Sequence, residues 1–196
     1  MAKASDGHSG FMSETWREMT ARIEGENMIV GMSAPAFTQL HVIVSLIGIV
    51  SGLVVVWGMW RGRRPGAWTA TFLGATFLTC VSGFFFHSKA IGPPHVLGVL
   101  SLIVLALAIY ALRTKSLVRH WRIVYIVSSV AALYFNVFVG VVQAFAKIQL
   151  LHALAPTGSE PPFVVVQLGV LAIFICSGVL AAKRFRPPSP PFTASA

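Results

Sequence analysis

Residues 136–163 read NVFVGVVQAFAKIQLLHALAPTGSEPPF, and this stretch indicates how the rest of the chain is organised. It begins within an apolar segment and ends in a polar loop, whose Glu160 is the only carboxylate beyond Glu26. A segment of about 20 apolar residues matches the ~30 Å of hydrocarbon in a bilayer. The stretch therefore predicts a membrane-spanning helix that leads into an exposed turn.

Four small or polar residues of this helix share one face. Asn136, Gly140, Gln143 and Lys147 stand at i, i+4, i+7 and i+11, which at about 100° per residue places them in one stripe. Lipid cannot satisfy amides or an ammonium group. We predict that the stripe faces inward, toward a polar pocket or a partner. Asn136 lies near the bilayer centre, where a buried amide commonly bonds across helices.

Composition identifies a membrane protein. Of the 196 residues, 56% are hydrophobic and only 11% are charged, with a mean hydropathy of +0.77. Soluble domains carry about a quarter charged residues. The pattern predicts an all-α fold, a five-helix transmembrane bundle whose apolar blocks cover residues 40–60, 67–86, 96–112, 123–146 and 163–182.

The basic residues predict the orientation. The loops RGRR, RTKSLVRHWR and KRFR, after the first, third and fifth blocks, hold ten of the fifteen lysines and arginines. The other two connections hold only Lys89 and Lys147. Because basic loops stay in the cytoplasm, the N-terminus is predicted outside and the C-terminus inside a bacterial inner membrane. The net charge of +9 then suits anionic lipid, and no basic-aromatic motif indicates nucleic acid.

Polar segments flank the predicted spans at both ends of the chain. Residues 1–38 form a polar N-terminal tail, in which SETWREMTARIE is either a short amphipathic helix or an unstructured segment. Residues 39–186 are the transmembrane domain, and the Pro- and Ser-rich residues 187–196 are predicted to be a disordered tail. Within the first span, Gly48 and Gly52 predict close helix packing inside the protein.

Four histidines are predicted at the outer face. Imidazoles at one level could bind a transition metal or haem b, and His41 with His95 is the candidate haem pair. A quinone is another possible ligand of such a site. No two of the four stand at i, i+3 or i+4, so the spacing defines no site, and each could instead cap a helix or bond a loop carbonyl. The four are His41, His87, His95 and His152.

The polar residues at the outer end suggest a ligand pocket. Lys147 and Glu160 could form an ion pair that pins the SEPPF turn, and Gln167 lies one helical turn into the fifth span. The predicted pocket comprises Asn136, Gln143, Lys147, Glu160 and Gln167. No carboxylate lies within any span, which argues against ion-coupled transport and a di-iron centre. Motifs of serine hydrolases, HExxH metalloproteases and P-loops are missing, and the two cysteines form no CxxC pair.

The fourth span and its exit loop, LYFNVFVGVVQAFAKIQLL with LAPTGSEPPF, resemble small uncharacterised multi-pass inner-membrane proteins of bacteria. The first span, LHVIVSLIGIVSGLVVVWGM, adds to the resemblance, which would cover residues 40–186. The resemblance implies that the chain is related to these proteins and is, like them, a multi-pass membrane protein. It carries no activity and no catalytic residue.

We therefore expect a non-enzymatic accessory or sensor protein that binds a small ligand or a partner in an outward-facing polar pocket. The partner would be another membrane protein or a second copy of the chain. Two alternatives remain open at this point. One is a redox protein holding haem b or a quinone near His41 and His95, and the other is a membrane enzyme that acts on a lipid-like substrate with a histidine base.

Overall fold

The structure, a computed structural model, describes residues 28–29, 31–63, 66–86, 92–114, 117–118 and 120–186. These residues form two short strands and six helices, five of which are long and apolar enough to cross a membrane. The prediction of a helical bundle with five candidate membrane spans is therefore confirmed. In chain order the elements are β1 (Met28–Ile29), β2 (Met32–Ser33), α1 (Ala34–Trp60), α2 (Gly66–Phe84), α3 (Pro93–Arg113), α4 (His120–Lys147), α5 (Gln149–Leu154) and α6 (Pro161–Arg184).

The chain divides into two units, residues 1–41 and residues 42–196. In the first unit β1 and β2 pair as an antiparallel hairpin, with Met28 opposite Ser33. Gly31 takes a positive φ of 75° in the turn, a conformation that glycine adopts without steric cost. The sequence predicts a polar tail for this segment and no strand, so the hairpin was not predicted, while SETWREMTARIE lies outside the described residues. Helix α1 begins at Ala34, six residues before the first apolar block.

In the second unit, α4 contacts the other long helices. A Cβ built on Gly52 of α1 would lie 2.6 Å from Cδ1 of Leu133 and 2.9 Å from the ring of Phe72 in α2. A Cβ on Gly178 of α6 would lie 3.7 Å from Val130 of α4. The glycine pair of α1 thus serves internal packing, as the sequence predicts.

Several contacts bring the basic loops to one end of the second unit. The Trp60 indole donates a hydrogen bond to the carbonyl of Ser177, 3.1 Å away, and Arg122 donates to the carbonyl of Phe185. The rings of Tyr110 and Trp121 pack edge to face, 5.3 Å apart. We call this the basic end, and its described cations are Arg61, Arg63, Arg113, Arg122, Lys183, Arg184 and Arg186.

The largest buried side chains lie nearer the basic end. Met59, Tyr125 and Phe185 are at most 1% exposed, and they belong to one apolar cluster with Phe72 and Leu105. In the opposite half, which we call the far end, most side chains of α1 from residue 42, of α3 and of α6 are half-buried or exposed. The far half of the bundle is therefore the less closely packed half.

The connection from α4 to α6 contains a helix where the sequence predicts only a loop. α5 follows α4 after Ile148, which is the single residue between them. The turn beyond it includes Gly158 with a positive φ of 71°. Across the connection, the rings of Phe145 and Phe163 pack edge to face at 5.3 Å, which places the start of α6 beside the end of α4.

Candidate functional site

Asn136 joins three helices in the interior of the bundle. Its side chain is 9% exposed, and Nδ2 donates a 3.2 Å hydrogen bond to Oγ1 of Thr76 on α2. Gly48 of α1 lies against the same pair, since a Cβ there would be 3.4 Å from that Nδ2. The amide therefore bonds across helices, which is the role expected for it near the bilayer centre.

Beyond Asn136, toward the far end of α4, the residues of the stripe are no longer buried. Gly140, Gln143 and Lys147 continue the same face of α4, but all three are exposed. The nearest side chain to Gly140 is Ile49 of α1, 3.8 Å from an added Cβ. The predicted inward orientation therefore holds for Asn136 and not for Gln143 or Lys147. Periodicity shows that residues share a face, whereas cover by a neighbouring helix depends on packing, and packing is loose in this half.

Gln167 contacts a different side of α4. It is 8% exposed, and its Nε2 donates a 3.2 Å hydrogen bond to the backbone carbonyl of Phe138. Its Oε1 is buried and accepts no hydrogen bond among the described residues. Because Asn136 bonds α2 and Gln167 bonds α4 from α6, the two buried amides lie in two separate helix contacts. The structure does not gather the predicted pocket residues around one cavity.

Glu160 is held by its own loop. Its carboxylate accepts hydrogen bonds from the backbone N–H of Thr157 at 3.0 Å, the Thr157 hydroxyl at 2.9 Å and the backbone N–H of Ser159 at 3.1 Å. These donors, the Thr157 backbone N–H first, lower the pKa of Glu160 from 4.5 to about 2. The predicted ion pair with Lys147 does not form within the described part of the chain. Donors three residues away or fewer satisfy the carboxylate more readily than an ammonium group thirteen residues away.

Among the predicted metal or haem ligands, His95 has a structural role. Its Nδ1 accepts a 3.3 Å hydrogen bond from the Gly92 backbone N–H, and the backbone N–H of His95 donates to the Gly92 carbonyl at 3.0 Å. This reciprocal pair caps α3 at its N-terminus. His152 is exposed on α5, His41 is half-buried in the first unit, and His87 lies outside the described residues.

The described residues contain no group of three or more histidine, cysteine or carboxylate side chains placed to hold a metal ion. The capping role left open for the histidines is thus observed at His95. A haem, quinone or transition-metal site stays a hypothesis.

Sequence reasoning missed the hydroxyl groups of the interior. Thr76, the partner of Asn136, is fully buried, and Thr69 is 3% exposed. Most hydroxyls in spanning helices bond a carbonyl of the preceding turn, as Ser51 does to Ile47 at 2.6 Å, so a single threonine is a weak signal. The spacing of Thr69 and Thr76 at i and i+7, on the apolar helix α2, could have indicated a buried polar face.

Comparison with known proteins adds no functional assignment. No family model matches the chain, and neither a curated protein nor a solved structure is similar to it. The resemblance to small bacterial inner-membrane proteins therefore stays a prediction, and function has to be inferred from the geometry above.

Proposed function

We propose that this chain is a non-enzymatic accessory protein of a bacterial inner membrane that binds a partner membrane protein along the far half of α4. The observation that carries the proposal is the exposed stripe of Gly140, Gln143 and Lys147, which continues the face on which Asn136 is sealed by Thr76. Polar groups at membrane depth are stable only when protein or water satisfies them.

The depth of the stripe supports contact with protein. α4 has 28 residues and is therefore about 42 Å long, more than the ~30 Å hydrocarbon thickness. The hydrogen bond from Gln167 to Phe138 and the ring contact between Phe145 and Phe163 fix the axial register of α4 against α6. With Asn136 near the bilayer centre, Gln143 would lie about 10 Å from the centre along α4, inside the ~15 Å half-thickness of the hydrocarbon and one turn inward of Lys147.

The shape of the stripe favours a helix over a small molecule. Gly140 is exposed and lets another backbone approach closely, while amide side chains form hydrogen bonds across membrane helices. Two copies of the chain that met along this stripe in parallel would bring their Lys147 ammonium groups together, which is unfavourable. A partner helix with a carboxylate or carbonyl acceptor at the outer rim fits better.

The proposed orientation keeps the N-terminus outside and the basic end in the cytoplasm. Its support is the gathering of seven described lysines and arginines at that end, while Lys147 is the one described lysine or arginine at the far end. The stripe would then face the outer leaflet. The partner would be a protein with a helix exposed in that leaflet.

Photocrosslinking in native membranes tests the proposal. A benzophenone amino acid at Gln143 should give a protein adduct of one defined mass, and the same group at Leu168, an exposed position on α6, should give none. Lys147→Glu should reduce the adduct and Lys147→Arg should preserve it. Equal adducts from Gln143 and Leu168, or lipid adducts alone, would refute the proposal.

Two further outcomes of the same purification are informative. An adduct with twice the mass of the chain would assign the partner as a second copy and contradict the charge argument above. A Soret band in the visible spectrum of the purified protein would support the haem b hypothesis in place of the accessory role.

A further inference from the structure

An open apolar groove runs along α6 beside Trp60, at the end of α1, in the half of the bundle that carries the basic end. Its volume is about 360 Å³, and the hydrogen bond from the Trp60 indole to the Ser177 carbonyl joins its two walls. Ile173 and Cys176 are exposed along its length, while Ser177 is buried beneath it. The groove is lined by Trp60, Ala172, Ile173, Cys176, Ser177 and Leu180.

Cations stand at the end of this groove. Ile173, Cys176, Leu180 and Lys183 are spaced at i, i+3, i+7 and i+10, so the apolar stripe of α6 leads directly to the ammonium group of Lys183. The stripe from Ile173 to Leu180 is about 10 Å long. Lys183 is exposed.

The loop after α1 adds further positive charge at the same place. A Cβ built on Gly62 would lie 3.5 Å from the carbonyl oxygen of Arg184, so this loop touches the last turn of α6. Arg61 and Arg63 flank Gly62 in the chain, and both are exposed. The Arg61 guanidinium packs over the ring of Trp57, 3.9 Å from its centroid. Three exposed basic side chains, those of Lys183, Arg61 and Arg63, thus belong to the last turn of α6 and to the loop that touches it.

No acidic side chain of the protein offsets these charges within the described residues 42–186. The one carboxylate there is Glu160, which belongs to the loop at the far end and is held by Thr157 and Ser159. An apolar groove that ends in unneutralised cations at the membrane boundary complements a molecule with a long apolar chain and an anionic head.

We propose that this groove binds one anionic phospholipid. An acyl chain lies along Ile173, Cys176 and Leu180, and the phosphate meets Lys183 and the guanidinium groups of the loop after α1. Lysine and arginine bind phosphate through charge-assisted hydrogen bonds, and clusters beside a membrane helix select anionic lipid. The groove and the stripe of α4 lie at opposite ends of the bundle, so the lipid site does not depend on the accessory role.

Native mass spectrometry of the detergent-purified full chain tests the site, with phosphatidylglycerol and phosphatidylcholine of identical acyl chains as probes. We expect one phosphatidylglycerol to bind in preference to phosphatidylcholine. Lys183→Gln should weaken phosphatidylglycerol binding about fivefold, because one cation near an anionic surface contributes on that order. Arg113→Gln removes the same charge at the end of α3, away from the groove, and should leave binding unchanged.

A second pair of variants tests whether lipid binding depends on this groove or on any apolar surface of the bundle. Cys176→Trp fills the groove and should abolish binding of phosphatidylglycerol. Leu46→Trp is the matched control, because it fills a similar apolar groove of about 350 Å³ between α1 and α2 that has no basic lining residue. Equal binding of the two lipids, or equal effects within either pair of variants, would overturn the proposal.

Discussion

At the scale of single residues, Gly52 sets how closely α1 approaches its neighbours. A side chain there would overlap Leu133 of α4 and Phe72 of α2, both of which belong to the buried apolar cluster. Glycine is therefore required for its small size, and not for its backbone freedom, since it lies within a regular helix.

Gly52→Ala should lower the stability of the bundle by about 1–3 kcal/mol, because the added methyl group overpacks a filled interior. The measurement is thermal unfolding of the purified protein in detergent. Gly74→Ala is the matched control, since an added Cβ on that exposed glycine of α2 meets nothing within 4 Å. An equal loss of stability in both variants would show that helix backbone effects, and not packing, are responsible.

Asn136 and Thr76 provide a second prediction at this scale. Their hydrogen bond links α4 to α2 in the interior, so a double-mutant cycle of Asn136→Ala and Thr76→Ala should give a coupling free energy of about 0.6 kcal/mol. Unfolding in detergent of the two single variants and the double variant measures it. A coupling energy of zero would mean that the two side chains contribute independently, against the observed bond.

At the scale of elements, the loop between α5 and α6 is organised by Glu160. Its carboxylate collects three donors from Thr157 and Ser159 just before the helix begins at Pro161. The ionised form accepts these bonds and the protonated form accepts them less well, which explains the low pKa.

The pKa of Glu160 predicts a pH effect on this loop. Because the folded-state pKa of about 2 is below the ordinary 4.5, ionisation favours the folded loop. This contribution is complete above pH 4.5 and is lost as the pH falls toward 2. Carbon NMR of the Glu160 carboxyl group should show a midpoint near 2, and Thr157→Ala should raise that midpoint because it removes the hydroxyl donor.

Lys147→Ala is the control for this titration. Since no ion pair joins Lys147 and Glu160 in the described residues, the midpoint should not change. A rise of the midpoint in this variant would show that the ion pair predicted from the sequence forms in solution. A wild-type midpoint near 4.5 would contradict the hydrogen-bonded loop.

At the scale of the whole chain, the second unit has two unlike ends. The basic end carries seven described lysines and arginines beside most of the large buried side chains, and the far end carries the exposed stripe of α4 and the loop of Glu160. An asymmetry of charge of this kind determines which end remains in the cytoplasm.

The proposed orientation can be measured with cysteine labelling. In a chain with Cys80→Ser and Cys176→Ser, a membrane-impermeant maleimide should label Ser159→Cys in intact cells. Thr114→Cys, at the basic end, should react only after the membrane is permeabilised, because the proposed orientation places its loop in the cytoplasm. Labelling of Thr114→Cys alone in intact cells would contradict the proposed orientation and indicate the opposite one.

The fold was largely predictable from the sequence, and the site was predictable only in part. An apolar block of about 20 residues is stable in a bilayer as a helix, because a helix satisfies its own backbone hydrogen bonds. Hydropathy therefore predicts α1, α2, α3, α4 and α6. The hairpin of β1 and β2 and the short helix α5 were missed, because neither carries an apolar block of that length.

Sequence alone determined the number of candidate spans, the clustering of basic loops and the single polar face of α4, since each depends on local composition or helical periodicity. Only the tertiary structure decided where that face is covered. Asn136 is enclosed because α1 and α2 approach α4 at Gly48 and Thr76, while Gln143 and Lys147 lie beyond the closely packed half. Burial depends on the distances between helices, and those distances are set by side chains far apart in the chain.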